Sequence, residues 1–324
     1  MKILITGGAG FIGSNLAHYL LALEGEVMIV DDLSTGHFEN VDPRAEFRKL
    51  DISSSAFQKA CAEFDPDVIV HLAAQPSVSV GEKNPEFTQL VNVGGTRRVI
   101  EAAKTANIER LIFASTAAVY GNPQELPLVE NMPLAPDNVY GKTKLLGEEI
   151  IREELDSTSI DYALFRFSNV YGPRQNAEGE GGVVASFCEA LVNERLPVIY
   201  GDGQQIRDFI FVSDVVQAIT WAVGGDIMFR GAGNVATESS SDDRGSYNIS
   251  TGQPTTVEQL LNILRVSSNF TQRAKFEEER KGDIRESILS PKKAFETFEW
   301  KANVDLHQGL ESTWTWYSRS ADQE

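Results

Sequence analysis

Short runs that are apolar at nearly every position alternate, along the first half of this chain, with longer stretches whose apolar residues recur every three or four positions. The runs at residues 2–6, 27–30, 47–50, 68–72, 110–115 and 162–167 predict strands, and stretches such as 11–23 and 87–106 predict helices. Strands that are apolar on both faces and separated by helices imply an α/β fold with a parallel, doubly wound sheet. Such sheets bind ligands outside the carboxyl ends of their strands. Beyond about residue 170 the rhythm loosens. Pro173-Arg174-Gln175-Asn176 and the glycine-rich run 179–182 read as a loop and crossover, followed by a helix at 183–193 and a short strand at 198–200. A strand at 209–212 leads into a helix starting near Ser213 or Asp214, and helices at 256–266 and 306–318 complete the pattern, with a mobile loop expected at 231–245. The organisation expected is one domain at 1–170, with 207–224 packing back on it, and a smaller domain at 171–324.

Composition narrows the partners. Hydrophobic residues at 42% and charged residues at 23% of 324 fit a soluble globular protein. A formal net charge of −18 argues against nucleic acid or an anionic membrane as the main partner. Cys61 and Cys188 lie far apart in expected helices, which fits a reducing cytoplasm. The four histidines are scattered and form no ligand cluster, so no metal is expected. The apolar run before Gly7-Gly8 is too short for a signal peptide, and no stretch approaches the roughly 20 apolar residues that span a bilayer.

The first expected strand runs straight into Gly7-Gly8-Ala9-Gly10-Phe11-Ile12-Gly13 and then a helix. Small residues there let the backbone approach a pyrophosphate at the positive end of the helix and let that helix pack on the strand. The second strand ends in Asp31, whose carboxylate suits both hydroxyls of an adenosine ribose and would repel a 2′-phosphate. Asp32 and the loop after it contain no arginine, so NAD is favoured over NADP. Asp51 and Ile52 follow the third strand and can border the adenine, and Leu72, Ala73 and Ala74 follow the fourth, where small residues leave room for the cofactor. His71 reads as a core residue. Asn92 has two equal readings, an anchor for backbone near the nicotinamide ribose or a helix-packing amide.

Tyr140 and Lys144 are four apart, which places both on one helix face about 5–6 Å apart at Cβ. A nearby ammonium favours phenolate and lowers the tyrosine toward neutrality, which suits a general base. Tyr-x-x-x-Lys alone is common on surface helices. Here the fifth strand also ends in Ser115-Thr116, and hydroxyl, tyrosine and lysine together complete a set. With the glycine run, this pattern resembles the extended short-chain dehydrogenase/reductase superfamily, within it the sugar-nucleotide epimerases of the UDP-glucose 4-epimerase type. The resemblance extends from Thr6-Gly7-Gly8-Ala9-Gly10-Phe11-Ile12-Gly13 to the Trp316-Tyr317 region.

That resemblance implies a Rossmann-type domain with a smaller α/β substrate-binding domain, tightly held NAD, and 4-epimerisation of a UDP-sugar through a transient 4-keto sugar. It implies Thr116 on the reacting sugar oxygen, Tyr140 as acid and base, Lys144 on the nicotinamide ribose, and Ser115 as a neighbouring polar contact. In Arg166-Phe167-Ser168-Asn169, Asn169 matches the family's diphosphate-binding asparagine, and Arg207 and Arg280 match its phosphate-binding arginines. Asp283 falls where the nucleotide ribose is held, and Val198 and Tyr200 flank the base. Ala117-Ala118 stands where dehydratases of the superfamily carry Asp-Glu and decarboxylases a glutamate, so elimination is poorly served. Ser287 occupies a size-gating position, and a small residue there implies room for UDP-GlcNAc and UDP-GalNAc beside UDP-glucose and UDP-galactose. Lys281 replaces a common proline, and Pro76 a lysine of some hexose epimerases. The rivals are a UDP-uronic acid or a dTDP- or CDP-sugar as substrate, net oxidation or reduction, and a catalytically silent NAD-binding scaffold. A homodimer through helices near 87–106 and 139–154 is a further implication of the resemblance.

Overall fold

The computed structural model describes residues 1–123, 125–177, 182–233, 241–279 and 282–321. The chain opens with β1 (Lys2–Thr6), α1 (Phe11–Ala22), β2 (Glu26–Asp31), β3 (Glu46–Lys49), α2 (Ser55–Phe64) and β4 (Val68–His71). Then come α3 (Val78–Lys83), α4 (Pro85–Gln89), a π-helical turn (Leu90–Gly94), α5 (Gly95–Ala106), β5 (Arg110–Thr116), α6 (Val139–Leu155) and β6 (Asp161–Phe167). The second half supplies β7 (Asn169–Tyr171), α7 (Val183–Val192), β8 (Val198–Tyr200), β9 (Ile206–Phe211), α8 (Val212–Gly224) and β10 (Ser246–Ile249). It ends with β11 (Pro254–Thr256), α9 (Val257–Ser268), β12 (Lys275–Glu277), β13 (Glu286–Ser287), α10 (Lys292–Phe298) and α11 (Leu306–Ala321).

A seven-stranded sheet runs in the order β10-β6-β5-β4-β1-β2-β3 with every pair parallel. Strand side chains alternate between faces, so neighbours in β1 serve different cores. Ile3 and Ile5 join one core with α1, α8 and α10, while Leu4 joins the other with α2, α5 and α6. The order reverses between β1 and β4, and that switch point opens a crevice at their carboxyl ends.

Two expectations change. The helix read over 87–106 is three pieces, α4, the π turn and α5, and the threonine hydroxyl of Thr96 reaches back to the Asn92 carbonyl at 2.6 Å within them. The stretch Ser246–Ile249, which the apolar pattern left without an element, is the seventh strand of the large sheet. Helix α8 starts at Val212 and packs on α1. A smaller sheet joins β11, β9 and β13, with β7 on β9, and α7, α9 and α11 enclose its apolar side. No helix among the described residues is long and apolar enough to cross a membrane.

Candidate functional site

The glycine turn sits at the switch point. Gly7 has φ +72°, a left-handed conformation that glycine adopts without steric cost, and a Cβ on it would lie 2.7 Å from the Ala73 nitrogen. Gly10 precedes α1 as its cap residue and offers no side-chain cap, which leaves the helix's first N–H groups without a side-chain acceptor at its N-terminus. At the tip of β2, Asp31 accepts N–H groups from Ala9 (3.0 Å) and Leu33 (2.8 Å), one on each oxygen, and burial raises its carboxyl above the ordinary range. Each oxygen keeps a second lone pair. A tight glycine turn, uncapped helix N–H groups and a carboxylate at the next strand end fit a dinucleotide. Asp32 is exposed and accepts from Ser34, and Asp51 accepts from Ser53, so each is engaged with its own loop. Ile52 is buried, and Leu72, Ala73 and Ala74 are half-buried beside the turn.

Asn92 lies in the π turn and is buried. Its amide donates to the Gln75 carbonyl (3.1 Å) and the Thr143 hydroxyl (2.9 Å), and its oxygen accepts the Gln75 N–H (2.7 Å). The side chain therefore clasps the loop after β4 to α6. It holds backbone and packs a helix together.

Helix α6 brings the tyrosine and lysine to the end of β5. Asn138 caps it, accepting the Gly141 N–H at 2.8 Å, which sets Tyr140 in the first turn. Two glycines let it close on the strand: a Cβ on Gly141 would sit 2.8 Å from the Ala118 oxygen, and one on Gly147 would sit 2.8 Å from the Phe113 ring. Thr116 shares a side-chain hydrogen bond with Tyr140 and accepts the Ala118 N–H at 3.2 Å. Lys144 is 4% exposed, its Nζ 6.0 Å from the Tyr140 ring centroid and 4.8 Å from that of Phe113, and it donates to the Ala114 carbonyl at 2.8 Å.

The electrostatics of this trio correct the simple charge argument. Although the Tyr140 ring keeps some solvent contact, burial pushes its phenol up to about 12, against the hydrogen bond from Thr116. Burial pushes Lys144 down to about 8. Among the protein's own groups, burial sets the direction of both shifts.

Ser115 departs from its expected place. Consecutive strand residues face opposite ways, so while Thr116 faces Tyr140, the Ser115 hydroxyl turns beneath and donates to Glu148. Sequence reasoning missed Glu148 altogether, although it continues the four-residue spacing of Tyr140 and Lys144.

In the second half, β9 gathers the expected substrate residues. Asn169 pairs with Phe209, and Ser287 pairs with Arg207. Arg207 forms an ion pair with Asp283, both mostly buried, and donates to the Ile206 carbonyl at 2.9 Å. Val198 and Tyr200 stand on β8, tied in by Gln205, whose amide donates to the Tyr200 carbonyl at 3.0 Å. Arg280 and the neighbouring Lys281 lie outside the described residues. Pro76 is exposed. No group of three or more potential metal ligands occurs among the described residues.

A doubly wound sheet with a glycine turn at its switch point and a Thr-Tyr-Lys cluster whose lysine is buried defines an NAD-binding α/β enzyme. Residues 3–226 match the NAD dependent epimerase/dehydratase family. The chain is 38% identical over 319 residues to a UDP-glucose 4-epimerase of Mycolicibacterium smegmatis, covering 97% of each. It superimposes with a TM-score of 0.89 on the UDP-glucose 4-epimerase of Thermotoga maritima solved with UDP-glucose, at 32% identity and 99% coverage of each chain. The UDP-N-acetylglucosamine 4-epimerase of Methanobrevibacter ruminantium, solved with UDP-N-acetylmuramic acid, gives 0.89 at 29% identity and 98% coverage of each. The chain belongs to the NAD dependent epimerase/dehydratase family and is an NAD-dependent epimerase.

Proposed function

We propose that this protein interconverts the C4 epimers of UDP-hexoses, both UDP-glucose with UDP-galactose and their N-acetylamino counterparts. The observation that carries the reading is the Thr116–Tyr140–Lys144 cluster at the end of β5, beside the glycine turn and without a carboxylate at Ala117-Ala118. Tyr140 takes the proton of the sugar 4-hydroxyl and later returns it, and Thr116 hydrogen-bonds the same oxygen. Lys144 holds a ribose hydroxyl and stabilises the phenolate. NAD, when bound through Gly7, Gly10, Phe11, Ile12, Gly13 and Asp31, supplies the oxidation at the carbinol carbon, its reversal, and a positive charge that favours phenolate.

Asn169, Arg207 and Arg280 hold the diphosphate, for which planar guanidinium groups are well shaped. Asp283 takes the nucleotide ribose and Val198 and Tyr200 the base. Fixing the diphosphate leaves rotation about the anomeric C–O–P linkage to the hexose, so either face can meet the same catalytic groups. Ser287, beside Arg207 in the sheet, leaves space for an N-acetyl group. We also propose a homodimer through α4, the π turn and α6, where Phe87 (46%), Leu90 (65%) and Leu146 (38%) expose apolar side chains.

Incubation with UDP-glucose and UDP-GlcNAc, followed by separation of the products, tests the reading. Both C4 epimers should form with no net absorbance at 340 nm. Tyr140→Phe should keep its NAD and lose turnover by about 100- to 10,000-fold. Accumulating NADH, or a largely active Tyr140→Phe, would refute the mechanism, and absence of N-acetyl turnover would refute the role given to Ser287.

A further inference from the structure

A buried charge network lies beneath the catalytic cluster. Glu148 is four residues beyond Lys144 on α6 and is fully buried. One carboxylate oxygen accepts from the Ser115 hydroxyl at 2.5 Å and from Arg166 Nε at 2.9 Å. The other accepts from Arg166 Nη2 (2.7 Å), Arg152 Nη2 (3.2 Å) and the Ser246 hydroxyl (3.4 Å). Arg166 stands directly across from Ser115 in the parallel ladder and also donates to the Tyr120 hydroxyl (3.0 Å) and the Glu130 carbonyl (2.9 Å). Tyr120 in turn donates to Asn248 at 2.7 Å. The network thus ties β5, the turn after it, α6, β6 and β10 together at one level of the sheet.

Most of these bonds could serve stability alone, but the bond to Ser115 differs. The arginines compensate Glu148 without it, and well-packed apolar residues often replace buried ion pairs with no loss of stability. The serine hydroxyl makes a short, charge-assisted bond at the residue immediately before Thr116. Because the two side chains leave the strand on opposite faces, holding Ser115 down fixes the direction in which Thr116 points up.

We infer that Glu148, acting through Ser115, is a positioning residue: it fixes the tip of β5 against α6 so that Thr116 and Tyr140 address one substrate oxygen. The inference rests on the function proposed above. Its test is Ser115→Ala, which removes the hydroxyl while leaving Glu148 four other donors, so the fold is retained.

The variant should bind NAD fully and keep its KM for UDP-glucose within about twofold, while kcat falls by about 10- to 100-fold, the scale of an ångström-level misplacement. Ser115→Thr, which restores the hydroxyl, should recover most of kcat. In NAD-loaded protein labelled with 13Cζ-tyrosine, the Tyr140 resonance, identified by its loss in Tyr140→Phe, should titrate at higher pH in Ser115→Ala. A wild-type kcat with an unmoved titration overturns the inference. So does a parallel loss of melting temperature and NAD, which would mark a general packing role. If the unmodified protein turns over no UDP-sugar, the function reading fails by itself, and the Tyr140 titration still decides the positioning.

Discussion

The closest approach in the cofactor turn gives the most quantitative prediction. A Cβ on Gly13 would lie 2.3 Å from the Gly7 carbonyl oxygen and 2.7 Å from the Gly8 Cα. Both are backbone atoms, so no side chain can swing aside. To restore ordinary contact in Gly13→Ala, α1 and the turn must part by about 1 Å, and overpacking of this kind costs about 1–3 kcal/mol. The displaced helix start also carries the N–H groups proposed to face the pyrophosphate, an arrangement that contributes up to about 2 kcal/mol in partly buried geometry. At 1.4 kcal/mol per tenfold, NAD affinity should fall by about 10- to 30-fold. Gly10 provides the contrast, because a Cβ there meets only the Gly7 oxygen at 3.3 Å, and Gly10 has φ −79°, which alanine adopts freely. Melting curves of NAD-stripped protein and calorimetric titration with NAD separate the two. Gly13→Ala should melt several degrees lower even without NAD, whereas Gly10→Ala, whose neighbour need yield only a few tenths of an ångström, should melt much closer to the unmodified protein. A Gly13→Ala protein with unchanged melting and unchanged NAD affinity would refute the reasoning.

Two other outcomes follow from burial. His71 is held between the Thr6 and Thr96 hydroxyls at 2.8 and 3.1 Å, and burial, with Lys144 adding repulsion, lowers its pKa to about 3. Between pH 6.5 and 3 the unfolded chain binds a proton that the folded chain refuses, so this group should remove about 2 kcal/mol of stability between pH 7 and pH 5. Urea unfolding of His71→Gln at the two pH values should show that much less loss, and an identical pH dependence would count against it. For the proposed dimer, Leu90→Glu puts a charge on a side chain that is 65% exposed, and light scattering should find monomers where the unmodified protein is dimeric. A monomeric unmodified protein at tens of micromolar, or a dimeric variant, rules that interface out.

What the sequence disclosed follows from where information is local. Parallel strands buried on both faces read as apolar runs, and their ends mark the crevice, so Gly7, Asp31, Leu72 and Thr116 were placed by the pattern alone. Strand β10 escaped because Ser246 and Asn248 are polar yet fully buried. Their partners, Arg152, Tyr120 and Glu130, are about a hundred residues away in the chain, and nothing local announces them. The charge argument for Tyr140 is incomplete for a related reason: spacing reveals a neighbouring ammonium, whereas the burial that pushes the phenol up depends on everything packed around it.

Glu148 is the instructive case, since it sits beside Glu149 in a run of charged residues that reads as a solvated helix. Yet Glu149 is exposed and Glu148 is not, and the period of α6 decides which is which. Once Tyr140 and Lys144 are taken to face the sheet, the same four-residue step carries Glu148 and Arg152 inward as well. A carboxylate on that face must find cations, and Arg166, at the Ser115 level of the neighbouring strand, is one that the strand pattern already supplies. The spacing that points to the proposed catalytic pair therefore also points to the ion pair beneath it.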